Sequence, residues 1–168
     1  MTPSAADFGG LLRALALGEA RFIVVGGIAG AAHGLARATY DLDVVYARDD
    51  ANLDRLVEAL SPLAPYLRGA PAGLPFRLDA ETLRRGLNFT LTTRLGDLDL
   101  LGEIAGGGGY ERLLPDSLEA PLFGVPCRYL GLERLILVKR AAGRPKDLQA
   151  IAELEALKEE RDRSIGGG

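Results

Sequence analysis

The chain has 168 residues, 48% of them hydrophobic, and a formal net charge of −3, which is enough for one compact domain with a real core and too little for two ordinary ones. The mild negative charge excludes a general polyanion-binding surface, so any contact with RNA or DNA must be local. The single cysteine, Cys127, excludes an internal disulfide and a cysteine-based zinc site and fits a reducing, cytoplasmic setting. The apolar run from Phe22 to Ala32 stops at His33, well short of the ~20 residues that cross a bilayer, and neither a membrane span nor a targeting segment is expected.

From the N-terminus, Ser4 to Ala20 carries Leu11, Leu12 and Leu15 at helical spacing behind Ser4 or Asp7 as the cap, and predicts an amphipathic helix. Arg21 to Val25 is short, rich in β-branched residues and ended by Gly26-Gly27, the pattern of a buried strand. The alanine-rich stretch Ile28 to Ala36 predicts a short helix. Thr39 to Tyr46 alternates, with Asp41 and Asp43 on one face and Leu42 and Val44 on the other, which predicts a second strand. Asp49 to Leu60 reads as a capped helix with one apolar face, and Ser61 to Pro75 as irregular.

Asn88 to Leu95 and Leu98 to Ile104 predict two strands joined by a tight turn at Gly96-Asp97. That turn assignment makes Asp97 a turn residue and leaves Asp99 in the following strand. Gly106 to Gly109 reads as a flexible connection. Leu118 to Leu130 predicts another hairpin around Gly124-Val125-Pro126, which its prolines confine to an edge. Leu132 to Ala142 and Pro145 to Arg163 predict two closing helices, the second with Pro145 in its first turn. The expected organisation is a single domain over residues 1–165 with a flexible tail at 166–168.

The stretch from Val25 to Asp43 carries the chemistry. Gly26 and Gly27 lie between a strand and a helix, where backbone N–H groups can approach an anion closely and the helix end adds favourable potential: a phosphate cradle. Asp41 and Asp43, two apart on a strand, project their carboxylates from the same face and suit a shared hard cation. A third carboxylate from a neighbouring strand would complete two metal positions roughly 3.5 to 4 Å apart, the arrangement that activates a hydroxyl and holds a leaving pyrophosphate. Asp99, between Leu98 and Leu100, is the best candidate.

This order of residues resembles the small nucleotidyltransferases of the DNA polymerase β superfamily, particularly minimal ones and those related to abortive-infection toxins. The resemblance is close over Val25 to Val45 and less specific over Leu98 to Leu101. His33-Gly34-Leu35-Ala36-Arg37-Ala38-Thr39 and the late Arg144-Pro145-Lys146-Asp147 also resemble elements of the toxin-related branch. It implies an α/β nucleotidyltransferase core, a small mixed sheet with packed helices and a helical C-terminal part. It also implies transfer of a nucleoside monophosphate from a nucleoside triphosphate to a hydroxyl acceptor, with Mg2+ or Mn2+ as cofactor. By the same resemblance Gly26 and Gly27 would hold the triphosphate, Asp41 and Asp43 both metals, and Asp99 the metal at the acceptor hydroxyl. RNA such as tRNA, protein and small molecules are the acceptor classes, and a toxin–antitoxin role would add a cognate antitoxin or helper protein.

Other residues carry two readings each. Arg37 either reaches the triphosphate or makes an ion pair, and Lys139 either binds phosphate or simply suits the negative end of its helix. His33 reads as a local hydrogen-bonding residue rather than an acid, base or ligand. Arg144, Lys146 and Asp147 could order the C-terminal part against the site or form a solvated cap. Cys127 is assigned no chemistry. The alternative function is a catalytically inactive binding or antitoxin module that keeps the fold.

Overall fold

The structure is a computed structural model and describes residues 5–166. Helix α1 (Phe8–Leu17) buries Leu11, Leu12 and Leu15 and is capped by Asp7, whose carboxylate accepts from the Gly10 amide. Ser4, the other expected cap, and residues 167–168 of the expected tail lie outside the described residues. Strand β1 (Phe22–Val25) is buried along its whole length and leads into the seven-residue helix α2 (Gly26–Ala32). The helix starts two residues earlier than its alanines suggest. Strand β2 (Asp41–Tyr46) follows, then helix α3 (Asp50–Leu60), whose N-cap Asp49 accepts from the Asn52 amide.

The stretch expected to be irregular contains a 3₁₀ turn at Ser61–Leu63 and a two-residue strand, β3 (Tyr66–Leu67). A short helix, α4 (Ala80–Arg85), had no clear periodic signal; Asp79 caps it by accepting from the Thr82 amide. Strands β4 (Asn88–Thr93) and β5 (Gly96–Leu101) form the expected hairpin, but its two turn residues are Arg94 and Leu95. The Thr93 hydroxyl donates to the Gly96 carbonyl and accepts from the Leu95 amide, which fixes the turn two residues early. Asp97 is therefore a strand residue.

Beyond the single turn of helix α5 (Tyr110–Leu113) come β6 (Ser117–Leu122) and β7 (Val125–Leu130). Helices α6 (Leu132–Ala142) and α7 (Pro145–Gly166) complete the described chain and pack on each other. Gly166, assigned to the tail on composition, is the last residue of α7.

The strands form one mixed sheet in the order β3-β4-β5-β2-β1-β7-β6. β2 runs parallel to β5 and antiparallel to β1. β6 is an edge, where Pro121 is tolerated, but β7 is interior, paired with β1 through Arg128 and Tyr129. Pro126 sits before that register, opposite Pro121, where no β1 carbonyl needs its missing N–H. Leu42, Val44, Leu98 and Leu100 are fully buried. Their alternation leaves the aspartates of β2 and β5 together on the opposite face.

Candidate active site

Two neighbouring strands set the geometry. The parallel register of β2 and β5 places Asp41 opposite Asp97 and Asp43 opposite Asp99, so four carboxylates share one face. One carboxylate oxygen from each of Asp41, Asp43 and Asp99 lies within 4.8 Å of the others. Asp43 Oδ1 is buried without a hydrogen-bond partner. Burial above all, with the charges of Asp41 and Asp99 and a hydrogen bond to Asp99 added, pushes the Asp43 carboxyl up to about 8. Asp41 is raised too, by burial and then by Asp99, against the attraction of Arg68. Three carboxylates with converging hard oxygen donors, and a buried unpartnered oxygen on one of the three residues, fit a divalent cation such as magnesium or manganese.

Gly26 and Gly27 open α2 beside this cluster. Gly26 has φ of +66°, and a Cβ there would overlap Asp43 Oδ2. This position needs glycine both for its backbone and for the approach of the carboxylate. A Cβ on Gly27 would lie 2.8 Å from Thr39 Oγ1, so Thr39 packs on the glycine turn just before β2. The first-turn amides of a helix have no intrahelical acceptor.

Arg68 also lies at the aspartates, a placement that no motif or local periodicity announces. Its amide donates to the Thr90 carbonyl, continuing the β3–β4 pairing by one residue. Thr90 is opposite Asp99, and Asp99 opposite Asp43, so register carries Arg68 onto the acidic face. Its Nη2 donates to Asp99 Oδ1 at 2.8 Å, its Nε lies 3.2 Å from Asp97 Oδ2, and its Nη1 is 3.8 Å from Asp41 Oδ2. The Nε contact has the distance of an ion pair without good hydrogen-bond alignment. The glycine-first pair Gly96-Asp97 hid Asp97; its two-residue spacing from Asp99, the same as that of Asp41 and Asp43, was the signal that could have found it.

On the other side of the glycines stands a basic group from α6 and α7. Asp147 is 1% exposed, and its carboxylate accepts from the Arg144 amide, Nε and Nη2 at 3.2, 2.7 and 3.2 Å. It also lies 3.8 Å from Lys139 Nζ. Burial would raise Asp147, but the Arg144 hydrogen bonds and Lys139 hold it below its ordinary value. Burial lowers Lys139, opposed by Asp147. Asp147 is thus a buried tie between two cations and not a solvated cap. Arg37 pairs with Glu153 of α7 at 2.8 Å while lining the same cleft. His33 Nε2 is 2.8 Å from the Leu130 carbonyl, and its ring packs against Tyr129.

Two clefts meet at the cluster and share Gly26, Asp43, Asp99, Lys139 and Arg144. One, about 490 Å³, has Gly27, Arg37, Asp41 and Lys146 in its wall and is basic around the glycine turn. The other, about 420 Å³, has a mixed wall, with Leu101, Ile104, Leu135 and Val138 beside Asn88 and Glu103. A further cleft of about 500 Å³ at Arg21, Tyr110 and Arg128 shares no residue with the aspartates. Its two arginines are paired with Asp49 and Glu119.

The same chain path occurs in solved structures. Lincosamide antibiotic adenylyltransferase LnuA, solved with lincomycin bound, aligns over 92% of this chain and 99% of its own, with a TM-score of 0.57 and 14% identity. The fold is a nucleotidyltransferase fold. A nucleotidyltransferase candidate from Thermotoga maritima, TM1012, aligns over 91% of this chain and 89% of its own, with a TM-score of 0.50 and 13% identity. No protein-family model matches the sequence, and no curated protein is similar to it in sequence. The nucleotidyltransferase fold here carries an acidic cluster, a glycine turn and a basic group around one pair of clefts. Among the described residues, no helix is long and apolar enough to cross a membrane.

Proposed function

We propose that the protein is a divalent-metal-dependent nucleotidyltransferase that moves a nucleoside monophosphate from a nucleoside triphosphate to a hydroxyl acceptor. The observation that carries this reading is the convergence of Asp41, Asp43 and Asp99 beside the Gly26-Gly27 turn. It gains weight from occurring on a fold shared with an adenylyltransferase.

In this reading Asp41, Asp43 and Asp99 hold the metal, which when bound supplies charge neutralisation at the triphosphate and a more acidic acceptor hydroxyl. The α2 amides at Gly26 and Gly27 hold the triphosphate in the basic cleft, and Lys139, kept in place by Asp147, faces the charge that builds up as pyrophosphate leaves. Asp99 stands at the junction of the clefts, where its carboxylate receives the acceptor proton. The adjoining cleft of mixed polarity then takes the body of the acceptor. Arg37, tied to Glu153, lines the phosphate side and orders α7 against it.

A small hydroxyl-bearing molecule suits that cleft better than a polyanionic tRNA end, because it encloses only about 420 Å³ and carries Glu103 beside Asp43 and Asp99 in its wall. LnuA, bound to lincomycin, is a neighbour whose ligand is small. A toxin–antitoxin role rests on the sequence resemblance alone. The test is incubation with each α-labelled triphosphate, magnesium, and either a panel of small hydroxyl compounds or cell extract. Label on a small molecule supports the reading, label on RNA or protein changes the acceptor class, and nucleotide binding without transfer favours the inactive-module alternative.

A further inference from the structure

Four carboxylates, Asp41, Asp43, Asp97 and Asp99, stand on one sheet face, and they cannot all ionise side by side without a cation. Arg68 supplies one. Its guanidinium spans Asp99, Asp97 and Asp41 at 2.8, 3.2 and 3.8 Å, and a second bond from Nη2 to the Leu91 carbonyl at 2.7 Å steadies it. Two of those three partners, Asp41 and Asp99, are also candidate metal ligands.

We propose that Arg68 is the resident counter-cation of the aspartate cluster and that a divalent cation must displace it from Asp41 and Asp99, so that Arg68 sets the metal affinity. The inference rests on the metal-dependent reading above. It follows from shared partners: two of the carboxylates that pair with Arg68 are those a hard cation would use, and two positive centres drawing on the same carboxylates compete.

The local chain gives the side chain a way out. Arg68 is part-exposed, with 28% of its side chain open to solvent, and follows a strand of only two residues. Gly69 beyond it has open space on its Cβ side. Arg68 can therefore leave the carboxylates for solvent without disturbing the β4–β5 pairing that positions Asp99.

The experiment measures Mn2+ binding by calorimetry, and melting with and without Mn2+, for wild type, Arg68→Met and Arg68→Lys. Arg68→Met keeps much of the apolar stem and removes the charge. It is expected to bind Mn2+ at least about tenfold more tightly, the worth of one charge-assisted hydrogen bond no longer given up. Without metal it should melt below wild type, and Mn2+ should raise its melting temperature by more. Arg68→Lys, a point charge that cannot span three carboxylates, should fall between the two and carries the test if Arg68→Met fails to fold without metal. Equal or weaker Mn2+ binding by a folded variant, beside a wild type that binds, overturns the competition alone. Absence of Mn2+ binding in all three proteins overturns the metal site as well.

Discussion

At Asp43, burial and two neighbouring carboxylates act in the same direction, and a carboxyl pushed up to about 8 is largely protonated at neutral pH in the metal-free protein. The folded state then binds one more proton than the unfolded chain between about pH 4 and about pH 8. Stability from this group is present at low pH and is lost as pH rises through about 8, with a slope of at most about 1.4 kcal/mol per pH unit. Denaturant titrations in a chelator should show this falling contribution in wild type and not in Asp43→Asn. A metal must displace that proton, so Mn2+ affinity should rise with pH up to about 8 and loading should release a proton to the buffer. A pH-independent affinity between 6 and 8 would contradict the placement of Asp43 in the metal site.

Gly26 and Gly69 allow a matched comparison. Both have positive φ, +66° and +80°, but a Cβ on Gly26 meets Asp43 whereas one on Gly69 meets nothing within 4 Å. Gly69→Ala should cost only the backbone strain, about 1 to 2 kcal/mol. Gly26→Ala should cost more and blunt the melting response to Mn2+, because the methyl group displaces the carboxylate. Equal effects in the two variants would show that the closeness of Gly26 to Asp43 has no bearing on the cluster.

Among the elements, the α6–α7 junction depends on one side chain. Asp147 is buried, ties Arg144 through three donors and neighbours Lys139. Asp147→Ala should destabilise the fold by roughly 1 to 3 kcal/mol, the cost of losing charge-assisted hydrogen bonds to a buried carboxylate, and should weaken triphosphate binding through Lys139. Glu153→Ala breaks only the more exposed pair with Arg37 and should cost no more than about 1 kcal/mol. Melting and nucleotide titration of both variants check this, and a larger loss in Glu153→Ala would reverse the roles of the two ties.

Elements with strong periodicity were legible in the sequence: β2 shows both its carboxylates by alternation, Asp99 of β5 stands out between leucines, and α1 and α3 show their leucines at helical spacing. Arg68 was not legible, because β3 is two residues long and lies within a proline- and glycine-rich stretch whose path is set by pairing with β4. The β4–β5 turn was misplaced because a glycine-first pair is a strong local signal. The Thr93 hydroxyl, bonding both Leu95 and Gly96, outweighs it. Asp147 was visible as a residue type, but its burial depends on how α7 docks on α6, which no local pattern states.

For the molecule as a whole, one sheet serves two purposes. Its interior positions hold the core, and the opposite face gathers aspartates from adjacent strands, a glycine turn and a tied lysine at the junction of two clefts. Asp99 is the residue whose loss should separate binding from transfer, since Asp41 and Asp43 remain to hold metal with the triphosphate. Asp99→Asn should keep much of the nucleotide affinity and lose at least ~10²-fold in transfer rate, the usual worth of one preorganised electrostatic contact. The most direct measurement follows two labels in parallel with magnesium and acceptor, one in the α-phosphate and one in the γ-phosphate of the triphosphate. The expected result is α-label on the acceptor and γ-label in pyrophosphate, both abolished in Asp41→Asn/Asp43→Asn and sharply reduced in Asp99→Asn. Transfer that persists unchanged in these variants, or γ-label appearing on the acceptor, would contradict nucleotidyl transfer at the aspartate cluster.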